Sequence, residues 1–599
     1  MSKRTPTRGA TPARGKADPL AAYLSQALSA HQQGKLADAD KLYSFILAKN
    51  PQHADALHYA GVVRLQSGQV EAGVSMMEAA LRINPKSADI LSNLANGLIT
   101  LKRHAEALVH LDQAIKLLPA KPEAHTNRGI ALAALGRHAE ALEAQKRAIA
   151  LRPNFLEALN NLGNAQRALK QYDEAIASYD KALALRANYP EALNNKGLAL
   201  NALRRYEEAI TFFDKAIAAR PHYAEAFSNK GNAFKELQRF DEAVSCYTLA
   251  VALKPDFAQA HYNRGNTLGA QNRYDDALAA YRDALALEPE HVDSHWNSCL
   301  AHLLQGKLEQ GWTEYSWRWK LKDAEAPRAF DCAAWQGEPL QGKQIILWAE
   351  QGLGDSIQFA RYASLLSAQG ARVVLEVQAP LESLLARIEG VSSVVARGTA
   401  APAADYHCSL LDLPLRLNTT LASVPARVPY LKPDAAREQA WAARLASARK
   451  PRIGLVCSGN PKLANDRNRS IPLAAFASLL NDSASFYMLQ KEYRADDLAT
   501  LSATPQITDL SAELNDFEDT AAVIAQLDLV ICVDTSVAHL AGALGKPVWI
   551  LLPFAPDWRW LLDRTDSPWY PGARLYRQTR IGDWSSLIQR VAADLRVRT

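Results

Sequence analysis

Over residues 20–325 the apolar positions recur with helical spacing, and the whole pattern returns every 34 residues. Gly61, Gly129, Gly163, Gly197, Gly231 and Gly265 stand on one lattice, with Ala95 filling its gap. Alanines follow 12 residues later (Ala107, Ala141, Ala175, Ala209, Ala243, Ala277) and again 19 later (Ala80, Ala114, Ala148, Ala182, Ala216, Ala250, Ala284). Prolines follow at 24 (Pro85, Pro119, Pro153, Pro221, Pro255, Pro289). Small residues mark where two helices approach closely. Proline ends the second helix because it lacks a donor and clashes with the preceding turn. Large side chains such as Tyr179, Phe213, Tyr247 and Tyr281 fill the seam. The lattice predicts nine helix-turn-helix units, the first (20–53) and last (292–325) degenerate, as capping units are.

Beyond residue 311 the lattice stops. Of twelve tryptophans only Trp296 precedes that point, and Trp312, Trp317, Trp319, Trp335 and Trp348 then follow in quick succession. Residues 311–319 still read as a helix, and 326–343 as a connector. Apolar runs at 345–349, 371–377, 393–397 and 405–410 read as strands, with helices at 356–369 and 381–388. After a proline-bearing stretch (425–433) a second series begins. Its strands fall at 452–458, 486–490, 529–534 and 548–553, its helices at 473–480, 520–527 and 536–544. Buried strands alternating with helices predict parallel α/β layers. The expected architecture is therefore an all-α repeat solenoid (20–325), then an α/β domain of two Rossmann-like lobes facing a cleft. The lobes cover 344–433 and 451–599, with a hinge at 434–450.

Composition narrows the possibilities. At about 150 residues per domain, 599 residues exceed what one core can hold. Apolar residues make up 48% and charged residues 22%, values that exclude wholesale disorder. The net charge is +5, and Lys3, Arg4, Arg8, Arg14 and Lys16 precede the first acid, Asp18. The remainder is near neutral, unlike a nucleic-acid-binding surface. The segment 1–19 reads as a basic, disordered tail without the apolar core of a secretory signal. No apolar run approaches the ~18–20 residues of a membrane span. Six scattered cysteines without a CxxC pair fit a reducing cytoplasm.

Two segments carry candidate chemistry, each at the point where a strand gives way to a helix. In open α/β sheets ligands bind beyond the carboxyl ends of strands, against helix N-termini. In EQGLGDSIQFARY (350–362), Gly352 and Gly354 permit a tight turn and Asp355 stands beside the helix start. In DTSVAHLAGALGKPVWILLP (534–553), Asp534 ends a strand, Thr535 and Ser536 open a helix, and His539 sits one turn in. Free amides with two hydroxyls there suit a phosphate group. Between them SGNPKLANDRNRS (458–470) offers Ser458 and three cations, Lys462, Arg467 and Arg469, able to neutralise the charge of a phosphate group. Gln490 and Lys491 end the next strand, within reach of a ribose. The Trp- and Arg-rich run 556–578 either walls the cleft or packs between lobes. The only Asp-x-Asp triplet, Asp38-Ala-Asp40, lies in the first repeat, and no metal site is expected.

The 34-residue lattice resembles the tetratricopeptide repeat over about 20–325, an array whose concave groove usually holds a protein. Asn93, Asn127, Asn161, Asn195, Asn229, Asn263 and Asn297 recur on the first helix of each unit. A carboxamide offers both a donor and an acceptor to a peptide backbone. The O-GlcNAc transferases, which join such repeats to a glycosyltransferase, hold acceptor peptides on a similar asparagine ladder. The GLGD turn paired with the DTSxxH helix start resembles the ADP-heptose:lipopolysaccharide heptosyltransferase family, over about 344–599. That resemblance implies a metal-independent GT-B glycosyltransferase needing no cofactor beyond its nucleotide-diphosphate sugar donor. It implies Asp355 as general base, with Thr535, Ser536 and His539 holding the diphosphate. The expected protein is a cytoplasmic transferase acting on a protein acceptor in the repeat groove. A non-catalytic scaffold, or a glycan-directed transferase of cell-envelope polysaccharide synthesis, is the alternative.

Overall fold

The computed structural model describes residues 19–350, 352–461 and 466–598. The basic tail through Asp18 and the candidate Lys462 lie outside the described residues. The chain forms two compact units, Met1–Leu253 and Lys254–Thr599.

The first unit holds seven antiparallel helix pairs, from Pro19–Gln32 with Leu36–Lys49 to Ala224–Glu236 with Phe240–Leu253. The lattice glycines have a direct steric reason. A Cβ on Gly163 would stand 2.5 Å from the Tyr179 ring, and one on Gly197 2.5 Å from Phe213. Tyr179 and Phe213 are wholly buried. Each ring thus rests on bare backbone of the facing helix, a contact that any side chain would abolish. The structure adds a register that the sequence pattern did not suggest. Residues 34, 68, 102, 136, 170, 204 and 238 all have positive φ, between 58° and 82°. This is the left-handed turn that closes the first helix of each pair, and four of the seven positions are Lys, Arg or Gln rather than Gly. Exposed Arg–Glu pairs at i,i+3 (Arg103–Glu106, Arg137–Glu140, Arg205–Glu208, Arg239–Glu242) repeat with the same period.

The second unit begins with two more helix pairs. The last pair, Val292–Leu304 and Leu308–Glu314, shortens into a 3₁₀ turn at Tyr315–Lys320. A parallel sheet follows, made of β1 (Ala333–Ala334), β2 (Gln344–Trp348), β3 (Arg372–Val377), β4 (Val391–Ala396) and β5 (Tyr406–Ser409), in the order β1-β5-β2-β3-β4. A second parallel sheet contains β6 (Arg452–Val456), β7 (Ser485–Met488), β8 (Ile507–Asp509), β9 (Leu529–Val533), β10 (Val548–Leu552) and β11 (Ala573–Arg577), in the order β11-β10-β9-β6-β7-β8. Both orders run outward from a central pair, β2/β5 and β6/β9, and the second is the doubly wound dinucleotide-fold order. One continuous apolar core joins Leu303, Trp312 and Tyr315 of the last repeat to both sheets.

Several expected boundaries change. The connector 326–343 contributes β1, which pairs with β5. The hinge 434–450 contains the helix Ala435–Arg444, tied through Arg437 to Asp516 and Asp519. The expected helix 356–369 is two helices, Leu353–Phe359 and Tyr362–Ala368, and 473–480 is a 3₁₀ segment. β8, β11 and the helices Ala495–Ser502 and Trp584–Arg598 were not anticipated, because their apolar runs are short or broken by charge.

Candidate functional site

Both sequence segments follow central strands of their sheets, where the connection direction reverses. The GLGD turn follows β2 and the DTS segment follows β9, so each sits at a topological switch point, the usual ligand crevice of such sheets. The two helices they open, Leu353–Phe359 and Ser536–Ala543, pack directly on one another. A Cβ on Gly354 would lie 2.9 Å from His539 Cδ2 and 3.5 Å from Ser536 Cα, so only glycine allows this approach. A Cβ on Gly352, the N-cap residue, would collide with the Asp355 carboxylate folded over it.

Asp355 belongs to the first turn of its helix and does not cap it. Its Oδ1 accepts from Arg559 Nη2 at 2.6 Å, and its side chain remains 30% exposed. Burial pushes this carboxyl above the usual aspartate range, against the opposing pull of Arg559. Arg559 also donates from Nε to Gln358 Oε1 (2.9 Å) and from Nη1 to Asp557 Oδ1 (2.9 Å), and it stacks over Trp558. Its neighbouring acids hold it firmly protonated. Sequence reasoning saw the Trp- and Arg-rich run that contains Arg559 but did not single the residue out. Its partner lies 204 positions away, and no spacing rule reaches so far.

At the second switch point, Thr535 precedes the helix Ser536–Ala543 with extended backbone. Its Oγ1 is buried without a hydrogen-bond partner among the described residues. Asp534 is pushed up to about 6, first by burial and then by the nearby Asp557. Arg469 crosses from the 458–470 loop to donate to the Asp534 carbonyl at 3.0 Å and to Asp466 Oδ1 at 3.4 Å. Arg467 is exposed on the same loop.

Four expected ligand contacts have structural partners instead. Gln490 Oε1 accepts from the Cys457 and Ser458 amides, and its Nε2 donates to Ser458 Oγ (2.7 Å) and Glu492 O (2.7 Å). Gln490 and Ser458 therefore shape the loop after β6, and neither reaches out to a ribose. Lys491 Nζ is spent on the Leu514 carbonyl. His539 is buried, its Nδ1 lies 3.0 Å from Tyr570 Oη, and its ring stacks on Trp560. Burial, with Arg559 and Arg361 nearby, drives its pKa well below the ordinary value. A neutral ring packed between the lobes positions the helix and brings no charge to a phosphate.

The asparagine row is also partly structural. Asn195 Nδ2 donates to Asn160 Oδ1 (3.1 Å) and Asn229 Nδ2 to Asn194 Oδ1 (2.9 Å), while the Asn93 carboxamide meets His58 Nε2 (2.8 Å). In the second unit Asn297 donates to Tyr262 Oη (3.3 Å) and Asn263 accepts from Gln259 (3.0 Å). Asn127 and Asn161 are half-buried. One donor of several carboxamides thus ties successive repeats together. Among the described residues, no group of three or more His, Cys, Asp or Glu side chains could hold a metal ion.

The tetratricopeptide repeat family matches at residues 24–88, 92–154, 156–224 and 258–291, and a further TPR repeat family at 231–272. The glycosyltransferase family 9 (heptosyltransferase) matches at 485–551, which includes β7 to β10 and the DTSxxH segment. Protein FlbA of Caulobacter vibrioides is 30% identical over 323 residues, 49% of this chain; the chain spans 53% of that protein's length. Among solved structures, the Cut9–Hcn1 hetero-tetramer of the APC/C is 18% identical, covering 47% of this chain and 55% of that one, at a TM-score of 0.38. The thermophilic tetratricopeptide repeat protein TTC0263 of Thermus thermophilus is 26% identical, covering 31% of this chain and all of that one, at 0.28.

Proposed function

This chain joins tetratricopeptide repeats to a glycosyltransferase family 9 (heptosyltransferase) domain, and from that premise we propose that it moves a sugar from a nucleotide-diphosphate donor to a hydroxyl of a protein acceptor. The carrying observation is the packing of the Leu353–Phe359 helix against the Ser536–Ala543 helix, which unites the ends of two switch-point strands in one unit. The domain is of GT-B type and works without a metal. Asp355 takes the proton of the acceptor hydroxyl as its oxygen bonds to the anomeric carbon. The bond from that carbon to the diphosphate oxygen breaks, and the diphosphate carries away its electron pair. The Thr535 hydroxyl, the amides opening the Ser536–Ala543 helix and Arg469 receive the new negative charge. Arg559 fixes the carboxylate and opposes the upward pull of burial on its pKa.

The repeats supply the surface that recruits the acceptor. All six cysteines are unpaired, which supports a reaction in the reducing cytoplasm; among the described residues no helix is long and apolar enough to cross a membrane. The test is a panel of nucleotide sugars offered to the purified chain. A cognate donor at 100 times its Kd adds about 2.7 kcal/mol of stability, read as a rise in Tm, and is turned over. A panel without any shift or hydrolysis leaves only a scaffold.

A further inference from the structure

Asp355 faces a cavity of about 520 Å³, and every residue lining it falls between Asp293 and Leu411. One wall is the carboxyl edge of the first sheet, with Trp348 from β2 and Asp355 from the turn after it. The opposite wall comes from the last repeat. Asp293 and Trp296 belong to its first helix, Val292–Leu304, and Tyr315 and Trp319 to the 3₁₀ turn Tyr315–Lys320. The second sheet, on which the donor reading rests, contributes nothing to the lining.

The cavity is pre-formed. Arg318, itself buried, donates to Glu350 (2.7 Å), Asp412 (2.7 Å) and the Tyr315 carbonyl (3.0 Å), locking the repeat-derived wall to the sheet. The segment after the 3₁₀ turn is pinned twice, by Arg328 to the buried Glu376 (2.7 Å) and by Glu325 to Arg397 (2.7 Å). Rings face the space, and Trp319 and Trp348 lie 5.7 Å apart. Asn297, the last residue of the asparagine row, stands one helical turn beyond Asp293 on the same face of Val292–Leu304.

We propose that this cavity is the acceptor site, and that it takes a short peptide segment whose Ser or Thr hydroxyl points at Asp355. This rests on the transferase reading above and goes beyond it by giving the acceptor a place and a chemistry. A base must lie within hydrogen-bond reach of the proton it removes, and this cavity is the space onto which the carboxylate opens. Its volume falls in the range of small-ligand pockets, enough for a hydroxyl side chain and its immediate neighbours. The paired rings offer an aromatic surface on which a backbone or a neighbouring side chain can pack.

The test uses the full chain and the donor found by the nucleotide-sugar panel. Two acceptor classes compete: capped peptides centred on Ser or Thr, and methyl glycosides. Wild-type protein is expected to modify the peptides. Trp319→Ala raises the peptide KM about tenfold, the loss of one aromatic stacking contact, while donor KM moves less than twofold. Trp319→Phe recovers most of that loss, which a merely unfolded variant would not. An unchanged peptide KM in Trp319→Ala, or transfer to the glycosides alone, overturns the proposal. Either result leaves donor turnover in place, whereas absent donor turnover in the wild type fells the transferase reading itself.

Discussion

The two sheets share a winding scheme but furnish their switch points in opposite ways. Where β2 and β5 end, the charged groups are already paired, Glu350 with Arg318 and Asp355 with Arg559. Where β6 and β9 end, backbone amides and hydroxyls stand beside Asp534 and Arg469, which donates to the Asp534 carbonyl. Gln490 clasps the loop amides, Ser536 opens a helix, and Thr535 Oγ1 has no partner among the described residues. A carboxylate held by a cation suits a group that handles a proton and returns unchanged. Unspent donors at a helix N-terminus suit an anion that arrives from outside. On the proposed reading, proton chemistry falls to the first lobe and charge reception to the second, and each half of that division can be broken separately.

The largest effect belongs to the first switch point. Asp355→Ala removes the base and should cost about 10²–10⁴-fold in kcat, a span typical for a positioned general base. Donor Kd, measured by calorimetry, should stay within about twofold, because the donor groups lie on the other sheet. A comparable loss of donor affinity would erase the division of labour. Arg559→Gln comes next. It strands a largely buried carboxylate, for which about 3 kcal/mol of lost stability is expected from thermal or denaturant unfolding. It also lets burial push the Asp355 carboxyl higher still, so the acid limb of kcat/KM should move to higher pH. A limb that stays in place would mean that Arg559 does not tune the base.

What the sequence disclosed follows the same division between repeated and single-use contacts. The Gly163–Tyr179 contact recurs as Gly197–Phe213, Gly231–Tyr247 and Gly265–Tyr281, so one steric rule is written four times at fixed spacing. The GLGD and DTSxxH segments were legible because each packs its chemistry into one strand-to-helix turn. Arg559 was not, because the pair with Asp355 exists only after two lobes fold and meet. Gln490 and His539 looked like ligand contacts for a related reason. Residue type and position at a strand or helix end are the same for a group that touches substrate and one that braces the loop. Only the partners, Ser458 and Tyr570, separate the two roles. The last repeat's part in the cavity was equally hidden, since Trp296 and Trp319 come beside the sheet only in the folded chain.

A pH experiment sharpens the second switch point. In the folded chain the Asp534 carboxyl is raised to about 6 from an ordinary 3.8. Below about pH 3 the group is mostly protonated in folded and unfolded chains alike and costs little. As pH rises towards 6 the unfolded chain gives up the proton first, so stability falls, by up to about 3 kcal/mol, and then levels off. Asp534→Asn does not titrate. Its Tm relative to wild type should therefore rise between about pH 4 and pH 7, whatever the substitution does to Tm at the lower pH. A difference that does not change with pH would show that Asp534 is comfortably ionised, and that the site is more polar than the reading requires.

The smallest effect is the most selective. Thr535→Val keeps the shape of the side chain and deletes an oxygen that the protein itself leaves unused. Removing a satisfied buried hydroxyl exposes its partner's unmet need and costs stability, but here no partner is left behind. Stability should therefore be unchanged or slightly improved. A hydrogen bond to a charged group contributes about 1.5–3 kcal/mol, so the affinity for a diphosphate should fall roughly ten- to a hundredfold. The nucleoside diphosphate of the cognate donor is the probe, since it carries the charged group without the sugar. Loss of affinity at constant Tm ties the unpartnered oxygen to the incoming anion. Loss of both would return Thr535 to the fold and remove the contrast between the two strand ends.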